Sequence, residues 1–151
     1  MLRSVLIIAA VYVGYRLLKK GYDMTEDQAD YMARTIYGEA RGEGVRGMQA
    51  VANVIMNRVR AGGWYGASVK DVVLKPYQFS CWNENDPNRK IILNATAEQL
   101  ATARSIADKA IAGELPDITG GATNYHAKSV NPYWAASMTK TATIGNHIFY
   151  A

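Results

Sequence analysis

Residues 36–44 read IYGEARGEG, two glutamates set among three glycines directly after an alternating run of small and apolar residues. Ahead of this stretch, Ala29, Met32, Ala33 and Ile36 recur at helical spacing, so the chain enters it as a helix with one buried stripe. The glycines end that helix near Glu39. Beyond them, Met48, Val51, Ala52, Ile55 and Val59 mark one face of a second helix, which starts near Val45 and stops at Gly62 and Gly63. Two core helices meet at a glycine-rich corner that carries a carboxylate.

Working outward, Thr25 and Gln28 form a T-x-x-Q pattern after the polar link KKGYDM, which predicts the start of the first body helix. Ser68 and Asp71 repeat the pattern before a short helix, VKDVVLK, which Pro76 closes. QFSCWN reads as an extended or looped segment and ENDPNRK as a surface loop. Thr96 with Gln99 then caps a third long helix, with Leu100, Ala103, Ala107 and Ala110 inward and Gly113 at its end. TATI, GN and HIFY read as two short strands about a two-residue turn. No repeat or low-complexity tract interrupts the chain. The implied class is α+β, mainly α, with a small antiparallel hairpin or sheet.

A chain of 151 residues suits one globular domain, able to bury roughly two-thirds of its unfolded surface. Ten tyrosines and three tryptophans argue against disorder and supply walls for an aromatic cleft. Cys81, the single cysteine, cannot form an internal disulfide and reads as packing. The net charge of +4 is traceable to Arg3, Arg16, Lys19 and Lys20, which precede the first acid, Asp23. The remaining 13 basic and 13 acidic residues balance, so the body offers no polyanion-binding charge, and no nucleic-acid partner is expected.

Residues 1–22 are set apart from the body at 23–151. Residues 5–15 carry no charge, and residues 2–18 would span about 26 Å as a helix, just short of the roughly 30 Å hydrocarbon core, with Arg3 and Arg16 placed to snorkel. The segment is expected to be a retained hydrophobic anchor on a membrane. No clear A-x-A site follows it to mark a cleaved signal peptide, and docking on a partner protein is the other reading. Arg16, Lys19 and Lys20 outnumber Arg3 and the amino terminus, so the positive-inside tendency opposes export of the body. A released anchor or a protein packaged in a virus particle would reconcile the two.

A side chain on the last turn of a helix projects from a rigid support into the cleft that the next loop leaves open. Glu39 holds that position. Tyr37, the glycines and the apolar stripe predict a poorly hydrated site, and desolvation favours a protonated carboxyl able to act as an acid. Such an acid is what cleavage of a glycosidic bond requires at the leaving oxygen. Glu43 would neighbour Glu39 if the helix continued, as acid and nucleophile of a retaining glycosidase do, but Gly42 and Gly44 argue that it does not. Glu43 therefore reads as a structural partner of Arg41 or Arg46, or as a support for the site.

Four segments taken in order, IYGEARGEGVRGMQAVANVIMNRV, VLKPYQFSCWN, ATNYHA and IGNHIFY, resemble the cell wall hydrolase family of bacterial spore cortex-lytic enzymes over about residues 25–151. The resemblance implies a lysozyme-like fold and cleavage of peptidoglycan glycan strands between N-acetylmuramic acid and N-acetylglucosamine. The best-understood members act as lytic transglycosylases. By resemblance Glu39, in YGEA, takes the place of the catalytic acid. Having protonated the departing oxygen, it can serve as base toward the C6 hydroxyl of the same sugar and close a 1,6-anhydro ring, with no metal and no cofactor. Whether the product is anhydro or hydrolysed stays open, since both routes begin with the same protonation.

The other segments would line the cleft. Gln78 and Ser80 offer amide and hydroxyl contacts, and Phe79 or Trp82 a stacking face, with core packing the competing role for Phe79. Asn124, Tyr125 and His126 are candidates to orient an N-acetyl group or to steady Glu39. Trp134 would wall the groove or fill space, and His147 and Tyr150 would tie strand to core. A metal-dependent hydrolase using His126, His147 and Glu39 or Glu43 lacks HExxH or comparable ligand spacing. Further alternatives are a hydrolysing muramidase using Glu39 and Glu43, a glycan-binding module without activity, and an interaction protein whose apolar start carries the function. Action in the periplasm or on the cell wall is expected. The compact size and anchor-like start lean toward a phage endolysin or virion-associated enzyme.

Overall fold

The computed structural model describes residues 2–151, with the side chains of residues 14, 16–18 and 24–151. Five α-helices are followed by a small sheet: α1 (Leu2–Ala40), α2 (Gly44–Ala61), α3 (Val69–Leu74), α4 (Pro87–Asn94), α5 (Ala97–Ile111), then β1 (Asn124–Ala127), β2 (Lys140–Ile144) and β3 (His147–Tyr150). The class is mainly α with a small antiparallel sheet, as the sequence pattern predicts.

The first departure is at Thr25. Helix α1 runs through it without a break, so no unpaired N–H groups are present there for a cap to satisfy. Gln28 serves another element: its Oε1 accepts from Lys70 N at 2.9 Å, holding the start of α3. The anchor expected over residues 2–18 lies largely outside the described side chains. Among the described residues no helix is long and apolar enough to cross a membrane.

The predicted stripes form the core. Ala29, Met32, Ala33 and Ile36 of α1 are buried, as are Met48, Val51, Ala52 and Ile55 of α2 and Ala103 and Ala107 of α5. Val59 is partly buried against the same core. Helix α2 has a second buried face as well, where Ala50 and Val54, one turn apart, pack against Ala122, Ile144 and Phe149 of the sheet region. It therefore forms the partition between the helical core and the sheet, which is why it is apolar on more than one side.

The starts of α3, α4 and α5 follow their capping chemistry. At α5 both reciprocal bonds of the predicted box are made, Gln99 N to Thr96 Oγ1 at 3.2 Å and Thr96 N to Gln99 Oε1 at 2.9 Å. Ser68 Oγ accepts from Asp71 N at 3.1 Å to open α3. The expected surface loop ENDPNRK is in part a helix: Asp86 caps α4 by accepting from Asn88 N at 2.8 Å, and Pro87 occupies the first helical position, where its missing N–H costs nothing. Ile92 of α4 is fully buried and docks the helix on the core. QFSCWN ends in a single 3-10 turn, Ser80–Trp82.

The hairpin around Gly145 and Asn146 is as predicted, but a third strand joins it. The order is β1-β3-β2, both pairs antiparallel, with Tyr125 opposite Phe149 and His126 opposite Ile148. Strand β1 is the ATNYHA segment, whose pairing partner arrives only at the end of the chain.

One glycine fixes the approach of the 3-10 turn to α1. A Cβ on Gly38 would lie 2.7 Å from Cys81 Cβ and 2.9 Å from Ile92 Cγ2, closer than such atoms tolerate, so only glycine lets residues 80–82 and α4 pack against this helix. Gly38→Ala is expected to destabilise the fold by about 1–3 kcal/mol through overpacking. Urea unfolding would measure it, and an unchanged midpoint would show that the contact yields freely.

Candidate active site

Glu39 lies on the last turn of α1, partly exposed, with its neighbour Ala40 buried beneath it. Its two carboxylate oxygens are held from two directions. Cys81 N, in the 3-10 turn, donates to Oε1 at 3.2 Å, and the Tyr125 hydroxyl, from β1, donates to Oε2 at 2.8 Å. The close packing at Gly38 is what brings the Cys81 amide within reach. Each oxygen accepts one donor and keeps a lone pair, so the group is oriented without being saturated.

Tyr125 is itself fixed. Its ring stacks on Phe149 at 5.5 Å and meets the His147 edge at 5.2 Å. Burial, and then the adjacent Glu39 carboxylate, push its pKa well above the usual tyrosine value, so it remains a phenol and a donor. The strand that carries it is positioned by a polar row on α2. Asn53 donates to Pro116 O at 3.1 Å and accepts from Ile118 N at 3.1 Å. Asn57 donates to Asp117 Oδ2 at 3.0 Å and Ala122 O at 2.9 Å, and Arg58 Nε donates to Thr123 O at 2.7 Å. The whole approach to β1, residues 116–123, is thereby pinned to α2.

Arg58 does more than hold backbone. Its guanidinium is buried between the rings of Phe79, at 4.9 Å, and Tyr65, at 5.5 Å, and donates to Gln78 Oε1 at 2.9 Å. Burial pulls its pKa below the usual value, countered by Tyr125, Tyr65 and Glu39. The sequence reading missed Asn53, Asn57 and Arg58. The signal was there, as polar residues at positions one turn apart and adjacent on an otherwise buried helix, but their partners lie about sixty residues away.

Glu43 occupies the N-cap position of α2 without capping it. Its Oε2 accepts from Asn146 N at 2.8 Å, and not from Arg41 or Arg46 as the sequence suggested. Two glycines make room for the side chain. A Cβ on Gly47 would fall 2.3 Å from Glu43 Cβ, and one on Gly145 2.3 Å from Oε2. Glu43 thus ties the corner between α1 and α2 to the β2–β3 turn. Arg41 is engaged elsewhere, donating to Asn88 Oδ1 at 2.8 Å with its guanidinium 5.7 Å from the Tyr37 ring centre. Gly38, Glu39, Arg41, Gly42, Glu43 and Asn88 together line a shallow cleft of about 350 Å³.

The remaining expected residues separate into those near Glu39 and those that are not. Trp82 follows Cys81 and is locked by a 2.9 Å bond from Nε1 to Thr35 Oγ1, one helical turn before Glu39. Ser80 is exposed at the start of the same turn. Gln78 is half-buried with its carbonyl taken by Arg58, which leaves its NH₂ group. Phe79 is buried at 2 % exposure with Arg58 over its face, so it packs the core and has no face to offer a sugar.

Strand alternation divides ATNYHA. Tyr125 faces the helices and Glu39, whereas Asn124 and His126 project from the other face of the sheet. His126 stacks on Tyr150 at 5.3 Å and meets the Trp134 edge at 5.7 Å. Its Nδ1 donates to Ala127 O at 2.8 Å, so in the neutral ring Nε2 accepts from the Tyr150 hydroxyl at 3.0 Å. His126 and Trp134 therefore build a wall with Tyr150 and do not reach Glu39. His147 of β3 meets the Tyr125 ring edge-on at 5.2 Å and so ties β3 to β1. Among the described residues, no group of three or more His, Cys, Asp or Glu is placed to hold a metal ion. Burial and then Glu39 push the Cys81 thiol far up, so it stays protonated and serves through its backbone amide.

Comparison with known proteins adds an independent line. The cell wall hydrolase family model matches residues 42–150, starting just beyond Glu39. The spore cortex-lytic enzyme of Halalkalibacterium halodurans is 32% identical over 126 residues, 83% of this chain and 35% of that protein. That of Bacillus cereus is 30% identical over 132 residues, 85% of this chain and 45% of that protein. The chain thus spans about a third to under half the length of these curated relatives. The crystal structure of the catalytic domain of the Bacillus cereus SleB protein superposes with a TM-score of 0.69 at 30% identity, covering 83% of this chain and 91% of that one. The catalytic domain of the germination-specific lytic transglycosylase SleB from Bacillus anthracis gives 0.67 at 31% identity, covering 82% and 93%. With most of its length matched by the family model and its fold shared with those catalytic domains, the chain belongs to the cell wall hydrolase family.

Proposed function

We propose that the protein cleaves peptidoglycan glycan strands between N-acetylmuramic acid and N-acetylglucosamine as a lytic transglycosylase, with lysozyme-like use of Glu39 as acid and then base. The observation that carries this reading is the Glu39 carboxyl group at the rim of an open cleft, fixed by one donor on each oxygen. In the first step Glu39 gives its proton to the glycosidic oxygen as the bond from C1 breaks. In the second the carboxylate takes the proton of the muramic acid C6 hydroxyl while O6 closes on C1. The carboxyl group is regenerated and no water is consumed.

The arrangement supports a one-acid mechanism. Glu43 lines the same cleft, but its Oε2 already accepts the Asn146 amide, a role in holding the cleft together and not in attacking a sugar. Tyr125 and the Cys81 amide stay bonded through both steps, so the acid keeps its aim as its charge changes.

Residues 2–18 are proposed as a tether to a membrane or a partner protein, a reading supported by the uncharged run at residues 5–15. It fits action in the periplasm or on the cell wall, and a phage lysis enzyme.

Two outcomes follow. Glu39→Gln keeps the shape of the side chain and removes the proton, so it is expected to lower turnover of purified peptidoglycan by about 10²- to 10⁴-fold with circular dichroism unchanged. A variant that keeps most of the wild-type rate contradicts the assignment. For the tether, Ile8→Asp is expected to shift the full chain from the membrane pellet to the soluble fraction on sedimentation, and a wild-type chain already soluble would count against it.

A further inference from the structure

Residues 75–78, KPYQ, make a tight turn closed by Gln78 N to Lys75 O at 3.1 Å, with proline at its second position. The third position is Tyr77, whose φ of 64° makes it the one non-glycine residue with positive φ among the described residues. A turn of this kind favours glycine there, because a Cβ in the left-handed region crowds the backbone. The tyrosine gains nothing from the fold in return: it is 89% exposed. A strained residue that displays an aromatic ring to solvent needs a reason outside folding.

The ring stands at a groove of about 700 Å³ lined by Pro76, Tyr77, Trp82, Asn83, Asn85 and Arg89, among others. The lining of this groove adjoins that of the Glu39 cleft along the chain. Trp82 directly follows Cys81, whose amide holds Glu39, and Asn88 of the cleft directly precedes Arg89 of the groove. Trp82 is locked by its bond to Thr35. Arg89 forms no ion pair among the described residues, and its Nε donor is buried without a partner. The groove therefore presents the Tyr77 and Trp82 rings, two amides, the Glu84 carboxylate and the Lys75 and Arg89 cations. That is the equipment to stack a pyranose ring and to donate to its acyl or carboxyl oxygens.

We infer that this groove is a second saccharide site in which Tyr77 stacks on a sugar of the glycan strand remote from the bond being cut, with Arg89 donating to its acyl or carboxyl oxygens. The inference rests on the reading of Glu39 as the glycan-cleaving acid. Tyr77 holds the strand and does not touch the reacting atoms.

Binding to intact peptidoglycan sacculi by full-length Glu39→Gln isolates this role from turnover. Adding Tyr77→Gly, which suits the turn and preserves the fold, is expected to weaken that binding about three- to tenfold, while Tyr77→Phe stays within about twofold. In the active chain Tyr77→Gly raises KM and leaves kcat unchanged. Unchanged affinity for Tyr77→Gly, or an equal loss for Tyr77→Phe, overturns the stacking role. Undiminished turnover by Glu39→Gln alone would instead overturn the reading of the acid, so the two failures are distinguishable.

Discussion

The site depends on a carboxylate held between two donors that come from separate elements, a 3-10 turn and a strand. Cys81 lies 42 residues from Glu39 in the chain and Tyr125 lies 86 residues away, so the hydrogen bonds exist only when the helical core and the sheet are both assembled. Each donor has its own support. The Cys81 amide is delivered by a helix-to-turn approach that only Gly38 permits, and the Tyr125 hydroxyl by a strand pinned to the polar row of α2. Folding and orientation of the acid are thus one event.

Around this centre the protein spends its polar residues on positioning. Arg58 is buried yet bonded to backbone, to Gln78 and to two ring faces, which is how a cation is tolerated inside. Glu43 uses its charge on a backbone amide of the β2–β3 turn and so closes the far side of the corner. The Cys81 thiol and the Tyr125 phenol both stay protonated, so Tyr125 remains a donor to Glu39.

What was legible in the sequence was local. The buried stripes of α1, α2 and α5, the Ser68 and Thr96 caps and the Gly145–Asn146 hairpin all depend on residues within a turn or two of one another. Glu39 at the end of a helix belongs to the same class of information. The failures have two origins. At Thr25 a capping pattern sits inside a continuous helix, and at Asp86 a loop-like pattern is a cap followed by proline, so the same local signal serves more than one structure. Elsewhere the missing information was non-local. Nothing near ATNYHA announces that it pairs with the last strand, which decides that Tyr125 faces Glu39 and His126 does not. The same holds for Glu43, whose partner is 103 residues away, and for Phe79, which Arg58 covers.

The account turns on the second step, in which one acid becomes the base and the sugar's own hydroxyl, not water, receives the bond. Mass spectrometry of the muropeptides released from purified peptidoglycan reads that step directly. The account predicts muramic acid ends lighter by one water than hydrolysed ends, as the 1,6-anhydro ring requires. Ends that carry the added water, and take up heavy oxygen from labelled solvent during cleavage, would contradict it.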